Sequence, residues 1–162
     1  MENSRLNYWK TVIILILLAV ALGVTIDLAY IYYAANFDQL YLGSFCSVNE
    51  FVDCDGVART TESQFLGVPL ACWGLFLYSF ILMLLAADKL KNFKLLRFLE
   101  VFKNKFHYIA SLGLISFIIS MGLLCVSLFE IKKLCIMCAV TYVLDLLIGI
   151  TAVWGIEGGF IG

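Results

Sequence analysis

Four cysteines fall into two pairs whose spacing suits thiol chemistry: Cys46 with Cys54, and Cys135 with Cys138 in a Cys-Ile-Met-Cys motif. Residues i and i+3 share a helix face, so Cys135 and Cys138 can form a disulfide that opens readily. A helix N-terminus favours a thiolate, and burial in apolar surroundings opposes it. A thiolate exchanges disulfides through a mixed disulfide and so moves an electron pair from one cysteine pair to another. Two plainer uses of the same residues are a pair of static disulfides and a four-thiolate zinc site. Cys72 and Cys125 lie in apolar stretches and read as small core residues.

Counting on from Cys138, Tyr142 is i+4 and Asp145 is i+7, so the three share a face, with Asp145 about 10 Å farther along the axis. An ionisable residue at that depth faces the bundle interior, either as part of a site or as an interhelical hydrogen-bonding group. Asp27 poses the same alternative nearer the interface, where simple hydration is enough. Trp73 and Tyr78 either line a cavity or pack between helices.

The elements that position these residues follow from composition. The 162 residues are 63% hydrophobic and 14% charged, and the net charge is −1. Mean hydropathy is +0.99. A soluble globule has too much surface for so few charges, so the chain is read as an integral membrane protein. Eleven basic against twelve acidic residues exclude a nucleic-acid footprint, and the apolar content excludes disorder. Four apolar stretches reach bilayer length, at about 11–34, 67–87, 108–129 and 134–154. In lipid they must be helices, because an unsatisfied backbone amide there costs several kcal/mol. The predicted fold is therefore an all-α, single-domain, four-helix membrane bundle.

Lys89, Lys91, Lys94, Arg97, Lys103 and Lys105 between the second and third stretches, with Arg5 and Lys10 ahead of the first, place both termini and the middle loop in the cytoplasm. Segment 35–66 and the turn before the fourth stretch then face outward. Lys132 and Lys133 in that turn run against the pattern. Tyr30, Tyr32, Tyr33 and Phe37 cluster as an aromatic belt would. Segment 35–66 is too long for a bare connector. Its Phe37, Leu40, Tyr41, Leu42, Phe45, Phe51 and Phe65 predict that it lies over the outer end of the bundle. On this orientation all four paired cysteines share one oxidising side of a plasma (inner) membrane.

These residues resemble the vitamin K epoxide reductase family in its prokaryotic form. The outer segment reads Cys46-Ser-Val-Asn-Glu-Phe-Val-Asp-Cys54, then Thr60, then Phe65-Leu-Gly67-Val-Pro69. The last helix reads Cys135-Ile-Met-Cys138-Ala-Val-Thr-Tyr142. Thr60 stands where prokaryotic members usually have Ser, and it keeps the hydroxyl. Many bacterial members carry a fused thioredoxin-like domain; this chain stops soon after the fourth stretch, which implies a separate partner or a trimmed chain.

The resemblance implies a four-helix bundle around a quinone of the ubiquinone, menaquinone or vitamin K type, capped by the outer loop. It implies a thiol oxidase that supports disulfide formation, with an extracytoplasmic thioredoxin-fold (DsbA-like) protein as donor. Cys46 and Cys54 would be the shuttle pair. Cys54 would attack the Cys135–Cys138 disulfide at Cys135, freeing Cys138 beside the quinone. Thr60 and Tyr142 match quinone-pocket positions, and Asp145 falls where the family often has a polar residue, here read as a proton supplier. A DsbB-like oxidase is the nearest alternative, but its order of cysteine pairs is reversed. An animal-type epoxide reductase and a non-enzymatic scaffold with two structural disulfides are the others.

Overall fold

In a computed structural model of the chain, residues 2–86 and 105–160 are described, with side-chain environments over 8–86 and 107–153. The elements run α1 (Glu2–Phe37), α2 (Cys54–Ala58), a 3-10 turn (Thr61–Ser63), β1 (Gln64–Phe65), β2 (Val68–Pro69), α3 (Leu70–Ala86), α4 (Lys105–Val126), a π turn (Ser127–Ile131) and α5 (Ile136–Phe160). The basic residues from Lys89 to Lys103 that set the predicted orientation, and the end of the second predicted stretch, lie outside the described residues.

Among the described residues, three helices are long and apolar enough to cross a membrane: Tyr8–Phe37, His107–Ile131 and Ile136–Val153. The second predicted stretch is the shorter apolar helix Leu70–Ala86. It starts three residues later than expected, because Gly67 is used otherwise. Gln64 pairs with Pro69 and Phe65 with Val68, leaving Leu66 and Gly67 as a two-residue hairpin turn. Both have positive φ, 55° and 76°, as a type I′ turn requires, and glycine meets that demand without strain.

Apolar residues surround the long helices, so burial is decided by spacing. α1 buries Ile14, Leu18, Ala21 and Thr25, and α5 buries Thr141, Leu144, Asp145, Ile148 and Ala152. Both sets follow the i, i+3, i+4, i+7 period of one helix face. α5 packs against α4 and α1, and α1 against α3. Lipid is as apolar as leucine, so association in a membrane relies on close packing and polar contacts more than on burial. Both are present. A Cβ on Gly113 would lie 3.0 Å from Gly149 Cα, so the α4 and α5 backbones meet directly. Buried hydroxyls converge on Asp145, as described below. α3 and α4 touch sparsely, and a cavity opens between them.

Two expectations need correction. Cys125 is not a core residue: it is exposed on α4, whereas Cys72 is half-buried. On a lipid-embedded helix a small apolar side chain is equally at home on the outer face. The apolar residues of 35–66 rest on the bundle only in part. Val57 packs with Leu28 and Met137 around Cys46, Cys54 and Cys135, and the Phe65 ring meets Trp73 edge-on, whereas Phe37, Leu40, Leu42, Phe45 and Phe51 are exposed, Leu42 fully. Polar bonds also hold the segment. Asp55 accepts from Ser44 N–H at 2.8 Å, from the Tyr41 hydroxyl at 3.0 Å and from the Ser47 hydroxyl at 3.0 Å. These hydrogen bonds outweigh the burial of Asp55 and hold its carboxyl below its ordinary range. The stretch bearing Cys46 is thereby tied to the helix bearing Cys54.

Candidate functional site

The two cysteine pairs meet where α2 lies against the start of α5. Asp53 caps α2, its carboxylate accepting from Gly56 N–H at 2.8 Å, so Cys54 is the first residue of that helix. Cys135 stands one residue before α5 and its carbonyl accepts from Ala139 N–H, so it occupies the cap position of that helix. Its sulfur accepts the Cys138 N–H at 3.1 Å. A helix-terminal N–H aimed at sulfur stabilises negative charge that develops there during exchange.

Cys46 is joined to Cys54 and Cys135 to Cys138 as disulfides, with Cα separations of 5.6 and 5.2 Å. The sulfurs of Cys46, Cys54 and Cys135 all lie within 4.8 Å of one another, and all three residues are buried. One pair can therefore attack the other without a large displacement of either helix. The joint is held by backbone bonds. Leu134 N–H donates to Phe51 O at 2.7 Å, and Asp53 N–H donates to Leu134 O at 3.1 Å. The Lys133 ammonium pairs with the Asp53 carboxylate beside them. That pairing and the bonds from Gly56 and Ser47 outweigh burial and hold the Asp53 carboxyl down at about 2.

Below the sulfurs lies a cavity of about 340 Å³ bounded by α1, α2, α3, α4 and α5. Cys54, Thr60, Cys135, Cys138, Tyr142 and Asp145 all line it. Cys46 does not, and it reaches the cavity only through Cys54. Leu28, Ile31, Leu77, Leu112, Ile115, Leu123 and Leu124 make much of the wall apolar. The Thr60 hydroxyl donates to Val57 O at 2.8 Å and closes the end of α2. Volume and lining suit a compact apolar ring compound held by a few polar groups, a description that a quinone head meets.

Asp145 forms the polar end of the cavity. It is 5% exposed, and it accepts from the hydroxyls of Tyr78 at 2.8 Å, Ser116 at 2.7 Å and Ser120 at 3.3 Å. Tyr78 thus both lines the cavity and carries a hydrogen bond. Trp73 lines it too, its indole N–H donating to Phe65 O at 3.3 Å. Asp27 is exposed and outside this cluster. Ser116, Ser120 and Lys133 were not singled out as site residues from sequence. The i, i+4 spacing of the two serines on an apolar helix was the available signal for them.

Among the curated proteins none matches this chain. The family model described as "Vitamin K epoxide reductase family" matches residues 12–153. That match spans the bundle, both cysteine pairs and the cavity, and the family is one of membrane oxidoreductases. With its paired cysteines and apolar helices, the chain belongs to the vitamin K epoxide reductase family.

Proposed function

We propose that the protein is a membrane thiol oxidase that relays electrons from a reduced thioredoxin-fold partner, through its two cysteine pairs, to a quinone, and so supports disulfide formation in other proteins. The observation that carries this reading is the order of the sulfurs. Cys46, Cys54 and Cys135 lie within 4.8 Å of one another, Cys46 stays off the apolar cavity, and Cys54, Cys135 and Cys138 open on it. In the same reading α3 completes a fourth span, both termini are cytoplasmic, and segment 35–66 is the outer cap in a plasma membrane.

The partner's thiolate attacks Cys46, the Cys46–Cys54 bond breaks, and Cys54 leaves as a thiolate. The partner's second thiol resolves that mixed disulfide, which releases oxidised partner and the Cys46 thiol. Cys54 attacks Cys135, so a Cys54–Cys135 bond forms, the Cys135–Cys138 bond breaks and Cys138 becomes the thiolate. Cys46 then attacks Cys54, restoring their disulfide and leaving Cys135 and Cys138 reduced. Cys135 and Cys138 close again to their disulfide, and the two electrons and two protons they release would go to the quinone when it is bound. Cys138 faces it from the cavity wall, Tyr142 offers its hydroxyl to a ring oxygen, Thr60 does so once its hydroxyl turns from Val57 O, and Asp145 with its three hydroxyl partners handles protons at the far end.

Purified protein carrying quinone should reduce it when given a reduced thioredoxin-fold donor, and Cys46→Ala should stop electrons from that donor. Cys138→Ala should abolish quinone reduction with folding retained. Undiminished disulfide formation in partner proteins by Cys138→Ala would leave only a scaffold with two structural bridges. Turnover of a vitamin K epoxide, rather than of a quinone alone, would mark the animal-type activity.

A further inference from the structure

Lys132 and Lys133 are the basic residues that break the charge pattern of the sequence, and the structure gives them different tasks. Lys132 reverses the chain: its φ is 56°, and its N–H closes the turn on Ser127 O. Lys133 points back at the outer segment, where its ammonium meets the carboxylate of Asp53, the residue before Cys54. The neighbouring residue, Leu134, forms a parallel bridge with Val52. Gly56 keeps the space open, since a Cβ there would overlap both the Asp53 carboxylate and the Lys133 ammonium. One side chain thus ties the approach to Cys54 to the approach to Cys135.

We propose that Lys133 is a positioning residue for exchange between the two cysteine pairs: its ion pair with Asp53 docks the Cys54 helix on Cys135 and lets go when the outer segment moves to meet its protein donor. This rests on the relay described above. In the step concerned, the Cys54 thiolate attacks Cys135 Sγ, the new Cys54–Cys135 bond replaces the Cys135–Cys138 bond, and Cys138 departs with the electron pair. The attacking sulfur must approach along the axis of the bond it breaks, so a small misplacement of α2 costs rate. An ion pair suits this task better than apolar contact, because it can be replaced by water when the segment lifts.

The test uses the full chain in nanodiscs with Cys46, Cys138, Cys72 and Cys125 replaced by Ala, which leaves Cys54 and Cys135 as the reactive thiols. Diamide is added, and closure of the Cys54–Cys135 bond is followed by alkylation and gel mobility. Lys133→Met should slow closure about fivefold, the worth of a partly exposed ion pair. Lys133→Arg should restore most of the rate, and high salt should slow the parent but not Lys133→Met. Equal rates for the parent and Lys133→Met overturn the proposal, as does Lys133→Arg behaving like Lys133→Met. Should Lys133→Met not fold, Lys133→Gln is read by the same criteria. If the parent never forms the Cys54–Cys135 bond, the relay itself fails and the proposal with it, an outcome distinct from a parent that closes at the same rate as the variant.

Discussion

The Tyr78 hydroxyl donates to the Asp145 carboxylate at 2.8 Å, joining α3 to α5 at the polar end of the cavity. Ser116 and Ser120 bring α4 to the same carboxylate, so three helices share one acceptor. In an apolar bundle this is a strong constraint on which faces meet.

Removing the acceptor and removing one donor should therefore differ. Asp145→Ala strands three hydroxyls in an apolar setting and should cost about 1–3 kcal/mol, read as a loss of thermal stability in nanodiscs. Tyr78→Phe leaves two donors on the carboxylate and should cost about 1 kcal/mol. Asp145→Asn keeps the shape and can still accept hydrogen bonds, so it should stay folded but reduce quinone at about a tenth of the rate or less, as loss of a proton-handling group implies. An unchanged rate would remove Asp145 from proton supply and leave it a structural tie.

The two cysteine pairs should fail in different ways. Cys46→Ala should block electrons from a protein donor while a small dithiol still reduces Cys135–Cys138 directly. Cys135→Ala or Cys138→Ala should block both routes. Quinone reduction measured with each donor distinguishes these outcomes, and equal loss with both donors in Cys46→Ala would contradict the assigned order.

The docked outer segment should loosen in acid. The Asp53 carboxyl is held at about 2, below its ordinary 3.8, so its ionised form favours the folded arrangement. That contribution is complete above 3.8 and is lost as pH falls through about 2. Asp55 acts in the same direction. Protection of the outer segment against hydrogen exchange, taken relative to the intrinsic amide rate at each pH, should be flat near neutrality and fall steeply in this acid window, and Asp53→Asn should make the fall shallower.

Gly56→Ala offers a test of close fit. Alanine ordinarily stabilises a helix interior over glycine by about 0.5–1 kcal/mol. Here its methyl would collide with Asp53 and Lys133, so the sign should reverse and cost about 1–3 kcal/mol. Lower thermal stability and faster proteolysis of the outer segment would report it. A gain in stability would show that the ion pair shifts aside freely.

What could be read in advance was local. The Cys-Ile-Met-Cys spacing, and Tyr142 and Asp145 on one face of the last helix, depend only on residue type and helical period, and the structure brings Cys138, Tyr142 and Asp145 to a single cavity. Hydropathy likewise marked four stretches of bilayer length, and among the described residues three of them are helices long enough to cross a membrane while the second is the shorter Leu70–Ala86. Pairings between distant segments were not legible. Nothing local to Ser116 or Lys133 announces Asp145 or Asp53 as its partner. Which apolar residues of the outer segment would pack was not legible either: Val57 is packed and Phe45 exposed, because apolar character alone does not say which face a residue takes. The exposed Cys125 follows the same rule.

The turn between α4 and α5 is fastened to itself. The Ser127 hydroxyl donates to Lys133 O, Lys133 N–H returns to Ser127 O at 3.3 Å, and Cys135 then enters the first turn of a 25-residue helix. In the proposed relay this half of the site behaves as an anvil. Any travel that lets the sulfurs part and rejoin has to be made by the other half, so cross-linking segment 38–53 to the α4–α5 turn should freeze the machine, whereas further bracing of that turn should leave it running.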